Sequence, residues 1–111
     1  MTLTTLAGMK ELSLLNNLPE GEKEITGGIC CDLLSWVMAK GQAGMAWITV
    51  QTHMNVVAVA SLHEFACIIL VEGCRMPEDV LQKASDEGIA VFGSALSGYR
   101  LCGLLHSAGV D

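Results

Sequence analysis

The apolar residues ACIILV at 66–71 stand between His63-Glu64-Phe65 and the turn-forming pair Glu72-Gly73. A run that short with no polar alternation has no wet face, as in parallel strands covered by helices on both sides. Its flanks carry the same constraint outward. A β-branched apolar run, AWITV at 46–50, precedes it, and a short strand-like run at 89–92 follows. Residues 54–64 read as a helix that is apolar nearly all round, with Val56, Val57, Val59 and Leu62 among alanines. Pro77, Glu78 and Asp79 open another helix, Pro at its first position and acids in its first turn. That helix buries Val80, Leu81 and Ala84, exposes Gln82, Lys83, Asp86 and Glu87, and ends at Gly88. Ser97 caps a last helix with Leu101, Leu104 and Leu105 inward, which stops at Gly109. From residue 45 onward strand and helix alternate through connections of a few residues. This order predicts a small layered α/β domain, its mostly parallel sheet flanked by helices and joined by right-handed crossovers.

The first third is less regular. Leu3, Leu6, Met9, Leu12 and Leu15 recur at spacings near three and predict a short amphipathic helix within residues 2–16. Asn16-Asn17 and Pro19-Glu20-Gly21-Glu22 form a polar turn region. Residues 25–30 read as a strand interrupted by Thr26-Gly27-Gly28, which must bend or admit a close neighbour. Asp32 is placed to N-cap a helix through Leu33, Leu34, Val37 and Met38 that stops at Lys40-Gly41. With no internal repeat and no linker, residues 1–111 form a single domain.

Composition sharpens the picture. Apolar residues make up 51 % and charged residues only 16 % of the chain, against about 25 % in an average soluble protein. Elements buried on both faces, or an oligomer that hides surface, account for so little charge. The all-round apolar helix at 54–62 is the expected contact of a homodimer. The formal charge of −6 comes with no Lys/Arg cluster, so nucleic acid and anionic membranes are excluded as partners. Glu64 is the sole charged residue between positions 43 and 71, yet Gln51, Thr52, His53 and Asn55 break that stretch, so no membrane span is expected. Five cysteines, an odd number, and a start without a basic, apolar secretory signal point to reduced thiols and a cytoplasmic location.

In open parallel sheets, ligands sit beyond the carboxyl ends of strands, where helix N-termini present free N–H groups. Three such ends are readable: Gln51-Thr52-His53, Glu72-Gly73-Cys74-Arg75, and Gly93 through Ser97. The first supplies an amide, a hydroxyl and an imidazole; its structural explanation is that Thr52 caps and its neighbours saturate turn backbone. Thr26-Gly27-Gly28 would let a phosphate or another backbone approach closely, or would serve only as a bulge or bend. It ends in no Gly-Lys-Ser/Thr and is no dinucleotide fingerprint. Cys30 and Cys31 point to opposite faces of a strand, no C-x-x-C exists, and Cys74 with His53 offers two ligands where zinc needs more. Ser35, Cys74 and Ser94 are nucleophiles without a recognisable base, and no paired carboxylates mark a general acid and base. The residues support neither an enzyme nor a metal or cofactor site.

Glu24-Ile25-Thr26-Gly27-Gly28, followed by Cys31-Asp32-Leu33-Leu34-Ser35 and by Ile48 through Ala58 (ITVQTHMNVVA), resembles the DRTGG domain family over nearly the whole chain. Thr26, Gly27 and Gly28 match the signature pentapeptide; Glu24 replaces its Asp and Ile25 its Arg, which removes one charge that could pair with a phosphate. Members are similar to the amino-terminal domain of HPr kinase/phosphatase. They also occur beside CBS domains in inorganic pyrophosphatases, where the pair forms a dimeric nucleotide sensor. The resemblance implies a regulatory module without catalysis, with an adenine nucleotide or dinucleotide as ligand and an enzyme regulated in trans as partner. It places the ligand between Thr26, Gly27 and Gly28 on one side and Gln51, Thr52, His53 and Asn55 on the other. Two other functions stay open: a protein–protein adaptor without a small ligand, and a redox or metal module built on Cys30, Cys31, Cys74 and His53.

Overall fold

The computed structural model describes residues 1–111. In chain order the elements are α1 (Leu3–Ala7), β1 (Ser13–Leu14), β2 (Gly27–Cys30), α2 (Leu34–Lys40), β3 (Met45–Thr49), α3 (Met54–Leu62), β4 (Cys67–Leu70), α4 (Glu78–Asp86), β5 (Ala90–Gly93) and α5 (Gly98–Ser107). One five-stranded sheet has the order β1-β5-β4-β3-β2. Strands β2 to β5 are parallel neighbours in sequence order, and β1 closes the far edge antiparallel to β5. A run of neighbouring crossovers of one hand stacks the connecting helices on one face. Accordingly Val37 of α2, Val56, Val57 and Ala60 of α3, and Val80 and Ala84 of α4 share a core with Trp47, Ile68, Leu70 and Val91. The alternate strand residues Ala46, Ile48, Cys67, Ile69, Ala90 and Phe92 face the other way, onto Leu3 and Leu6 of α1 and Leu101 and Leu105 of α5. Every residue of β4 is fully buried, as its unbroken apolar sequence requires.

Four local expectations change. The helix expected within residues 2–16 is α1 alone, capped by Thr2, whose hydroxyl accepts from the Thr5 N–H. Beyond Gly8 the chain crosses to the sheet edge, because Asn16 anchors it there. The Asn16 carboxamide donates to the Ile89 carbonyl at 2.9 Å and accepts from the Val91 N–H at 2.8 Å, and the Leu15 N–H donates to the Val91 carbonyl. These bonds extend the two-residue strand β1 along β5.

Gly27 and Gly28 lie inside the regular strand β2, and neither has a positive φ. A Cβ on Gly27 would sit 3.4 Å from the Asp111 carbonyl oxygen, so its close neighbour is the chain's own backbone. Asp32 does not cap α2, whose N-cap Leu33 makes no side-chain bond. His53 caps α3 in place of Thr52, with Nδ1 accepting from the Asn55 N–H at 3.1 Å. The apolar perimeter of α3 is met by the sheet beneath and by α2 and α4 on either side. Asn55, Ala58 and Leu62 form its open face, with Leu62 at 72 % exposure.

Trp47 ties the edge to the centre. Its ring is fully buried edge-on against Phe65, with centroids 5.8 Å apart, and its Nε1–H donates to the Cys31 carbonyl at 2.9 Å. Trp47→Phe removes that donor and leaves a void, and is expected to cost about 2 kcal/mol in urea unfolding.

The Cys67 thiol is pushed up to about 12 by burial. The fold holds it neutral, while the unfolded chain ionises near its ordinary value of 9.0. Its stabilisation is therefore complete below about pH 9 and is lost as pH rises towards 12. Cys67→Ala should flatten the fall in melting temperature between about pH 8 and pH 10.5 relative to wild type.

Candidate functional site

The carboxyl ends of β2 to β5 meet along one rim of the sheet, and the loops that leave them form its surface. Thr26, Gly27 and Gly28 are not part of it. Gly27 pairs with Met45 at the start of β3, whereas Gln51 lies beyond the end of β3. The six steps from residue 45 to residue 51 correspond to about 20 Å of extended chain. Thr26 is engaged locally, its N–H donating to the Gly44 carbonyl and its hydroxyl to the Ala43 carbonyl. The two stretches expected to flank one ligand thus lie at opposite ends of the sheet.

Gln51, Thr52, His53 and Asn55 do lie together at the rim. Asp32 organises this region from the β2 side. Its carboxylate accepts from the Thr49 hydroxyl at 2.7 Å and the Val50 N–H at 3.0 Å, and its carbonyl accepts from the Gln51 carboxamide at 3.0 Å. Thr49 is buried, and its hydroxyl accepts in turn from the Gln51 N–H. Gln51 is therefore held in place by the loop that it braces.

His53 is exposed and uses Nδ1 as the α3 cap, so the neutral ring carries its proton on Nε2, which has no partner within the protein. Gln51, Thr52, His53 and Met54 line a cleft of about 420 Å³ whose opposite wall is Pro77 and Asp79. The wall belongs to the first turn of α4, where Glu78 and Asp79 offset the positive end of the helix. Hydrogen-bonding groups surround this cleft, with a carboxylate at its edge. That lining suits the polar edge of a neutral ring better than a phosphate.

A second cleft of about 320 Å³ lies at the ends of β4 and β5, lined by Lys10, Glu11, Cys74, Arg75 and Ser94 among others. Ser94 builds it. Its hydroxyl donates to the Glu11 carbonyl at 2.9 Å and accepts from the Leu96 N–H, and its carbonyl accepts from the Gly73 N–H. The buried serine thus fastens the α1–β1 connection, the β4–α4 loop and the β5–α5 loop to one another. As a hub of hydrogen bonds it has no nucleophile's freedom. The loop after β4 turns sharply through two left-handed residues, Glu72 at φ 59° and Gly73 at φ 72°, and this turn delivers Cys74 and Arg75 to the cleft.

The Glu72–Arg75 and Gly93–Ser97 stretches are legible in the sequence as strand ends, whereas Lys10 carries no such signal. The approach of that lysine depends on the chain leaving α1 at Gly8, which the leucine spacing concealed.

The cysteines disperse. Cys30 and Cys102 line a largely apolar cleft of about 240 Å³ between β2 and α5. The Cys30 thiol is pushed up to about 11, by burial first and then by Cys102 and the Asp32 charge. Cys31 Sγ accepts from the Leu33 N–H at 3.4 Å. Cys74 and His53 line separate clefts, and no three metal-ligating side chains converge anywhere. The His63 ring nitrogens lie 3.2 Å and 2.8 Å from the carbonyl oxygens of Val59 and Met38. No helix is long and apolar enough to cross a membrane.

No protein-family model matches this chain, and no curated protein matches it. Among solved structures it is similar to the CBS and DRTGG domains of the regulatory region of Clostridium perfringens pyrophosphatase, crystallised with the activator diadenosine tetraphosphate. The TM-score is 0.72 at 12 % sequence identity. The match covers 93 % of this chain and 45 % of that regulatory-region chain, so the protein spans under half of that neighbour's length. At this identity the likeness is one of architecture: the chain has an α/β fold found in a nucleotide-activated regulatory region.

Proposed function

We propose that this chain is a non-enzymatic regulatory module that binds a nucleotide, or another phosphorylated small molecule, at the carboxyl-end rim of its sheet. The observation that carries the reading is its fold likeness, over 93 % of its length, to a regulatory region that binds diadenosine tetraphosphate. The rim supports it with two polar clefts on either side of the β4–α4 loop. In the cleft, His53 Nε2–H is free to read the edge of a base, with the exposed Asn55 carboxamide beside the cleft on the first turn of α3, while Gln51 and Thr52 shape the wall. Thr26, Gly27 and Gly28 serve the strand instead. The ligand state would then be passed to an enzyme partner in trans, in the reducing cytoplasm that suits five free thiols.

Calorimetry against adenosine mono-, di- and triphosphate and diadenosine tetraphosphate tests this reading. Binding is expected with at least one of them, and Asn55→Ala should weaken it about tenfold, or about 1.4 kcal/mol. His53→Ala should weaken it similarly and also lower stability by about 1 kcal/mol, because the α3 cap is lost. Absence of heat with all four at millimolar concentration would defeat the nucleotide reading.

One observation favours protein contact as a second reading. On and before α2, Leu33, Trp36 and Met38 are 61 %, 53 % and 51 % exposed, a concentration of apolar surface that α3 lacks. Self-association through α2 would give a dimer of twice the 11.8 kDa chain mass. Light scattering at micromolar concentration should detect that dimer, and Trp36→Ser should dissociate it. A clean wild-type monomer would exclude it.

A further inference from the structure

The chain has six Lys and Arg residues against twelve Asp and Glu. Its cations are otherwise occupied or dispersed. Lys83 Nζ pairs with Glu87 at 2.9 Å, and the terminal ammonium pairs with Glu24 at 3.1 Å. Lys23 donates to the Phe65 carbonyl, and Lys40 lies 5.3 Å from the centroid of the Trp36 ring. Arg100 stands on α5, outside that cleft. Lys10 and Arg75 differ in that they come from distant parts of the sequence, are free of ion pairs, and line the same cleft.

Two like charges at one concavity repel, and an anion placed between them is attracted by both, an attraction that Glu11 offsets only in part. Among the lining residues the formal sum is Lys10 and Arg75 positive and Glu11 negative, a net of +1 in a chain of −6. Glu72 stands just outside it, at the strand end.

We propose that this cleft is a binding site for a phosphoryl group, with Arg75 and Lys10 as its two cationic contacts. The guanidinium fork matches two oxygens of a phosphate, and the ammonium supplies a mobile point charge to a third. A volume of about 320 Å³ lies at the small end of ligand cavities. It fits a phosphate or diphosphate group rather than a whole dinucleotide. Ser94 holds the three walls together, so the cations are mounted on a braced frame. The cleft at Gln51, Thr52 and His53 bears the Asp79 carboxylate and no Lys or Arg, so the rim separates an anion-accepting end from a ring-accepting end. The inference thereby rests on the sensor reading only for the identity of the group that carries the phosphate.

Titration calorimetry of the full chain with inorganic pyrophosphate at low ionic strength is the test. Saturable binding is expected, weakened at least fivefold by Lys10→Met and by Arg75→Met, and lost in the double variant. Lys83→Met, on the exposed face of α4, should leave it unchanged. Melting curves should show each variant folded, since both side chains project from loops. No heat with wild type at about 10 mM pyrophosphate, or binding unaltered in the double variant, would overturn the site. Nucleotide titrations separate the two proposals. Pyrophosphate binding unaltered in the double variant, with nucleotide binding intact, sinks this site and leaves the sensor reading standing. Pyrophosphate binding without any nucleotide binding does the reverse.

Discussion

Burial of β4 on both faces is the constraint on which the remaining structure depends. Its four residues have no solvent exposure, so helices must cover each side. The sequence-ordered crossovers place α2, α3 and α4 on one face, and the other is left to α1 and α5, which come from the two ends of the chain. Closing that second layer draws the α1–β1 connection across the end of β5. Lys10 arrives at the rim as a by-product of covering Ile69 and Phe92. A packing requirement in the middle of the sheet thus determines which charges gather at its margin.

The rim is held by two polar side chains of different kinds. Asp32 secures the ends of β2 and β3 by accepting from Thr49 and Val50. Ser94 secures the ends of β4 and β5 by donating to one segment and accepting from another. A carboxylate only accepts hydrogen bonds, whereas a hydroxyl does both, which suits Ser94 to a junction of three segments. Each cleft lies beside one of these fasteners. The electrostatic contrast between them follows from their neighbours: Asp79 at the start of α4, Lys10 and Arg75 beyond β4 and β5.

Much of the fold was legible because periodicity reports burial. The runs at 46–50, 66–71 and 89–92 became β3, β4 and β5, and the Pro77 and Ser97 signals mark the starts of α4 and α5. Local polar chemistry was less legible. Asp32 precedes a helix and looks like a cap, yet its carboxylate is taken by a neighbouring strand, a contact that depends on tertiary pairing. Thr52 and His53 are both plausible caps one residue apart, and backbone direction alone decides for the imidazole. The leucines at 3, 6, 12 and 15 fit a helical spacing, although Asn16 commits the later ones to the sheet edge. The glycine pair reads as a bend interrupting a strand, yet it pairs regularly with β3, and that register sets its distance from residue 51.

The two margins of the sheet are unequal in a way that bears on assembly. On the β5 side, a two-residue strand and the Asn16 carboxamide close the edge, and the chain then turns away. On the β2 side, four residues in regular parallel pairing end the sheet, two of them glycines that carry no side chain. Edge strands are templates for pairing, and short or covered ones are poor templates. Growth of this sheet by a further strand, from a second molecule or from a tethered segment, therefore has one open direction. Unwanted stacking in a concentrated solution would be polar, beginning at β2 and halting at β1.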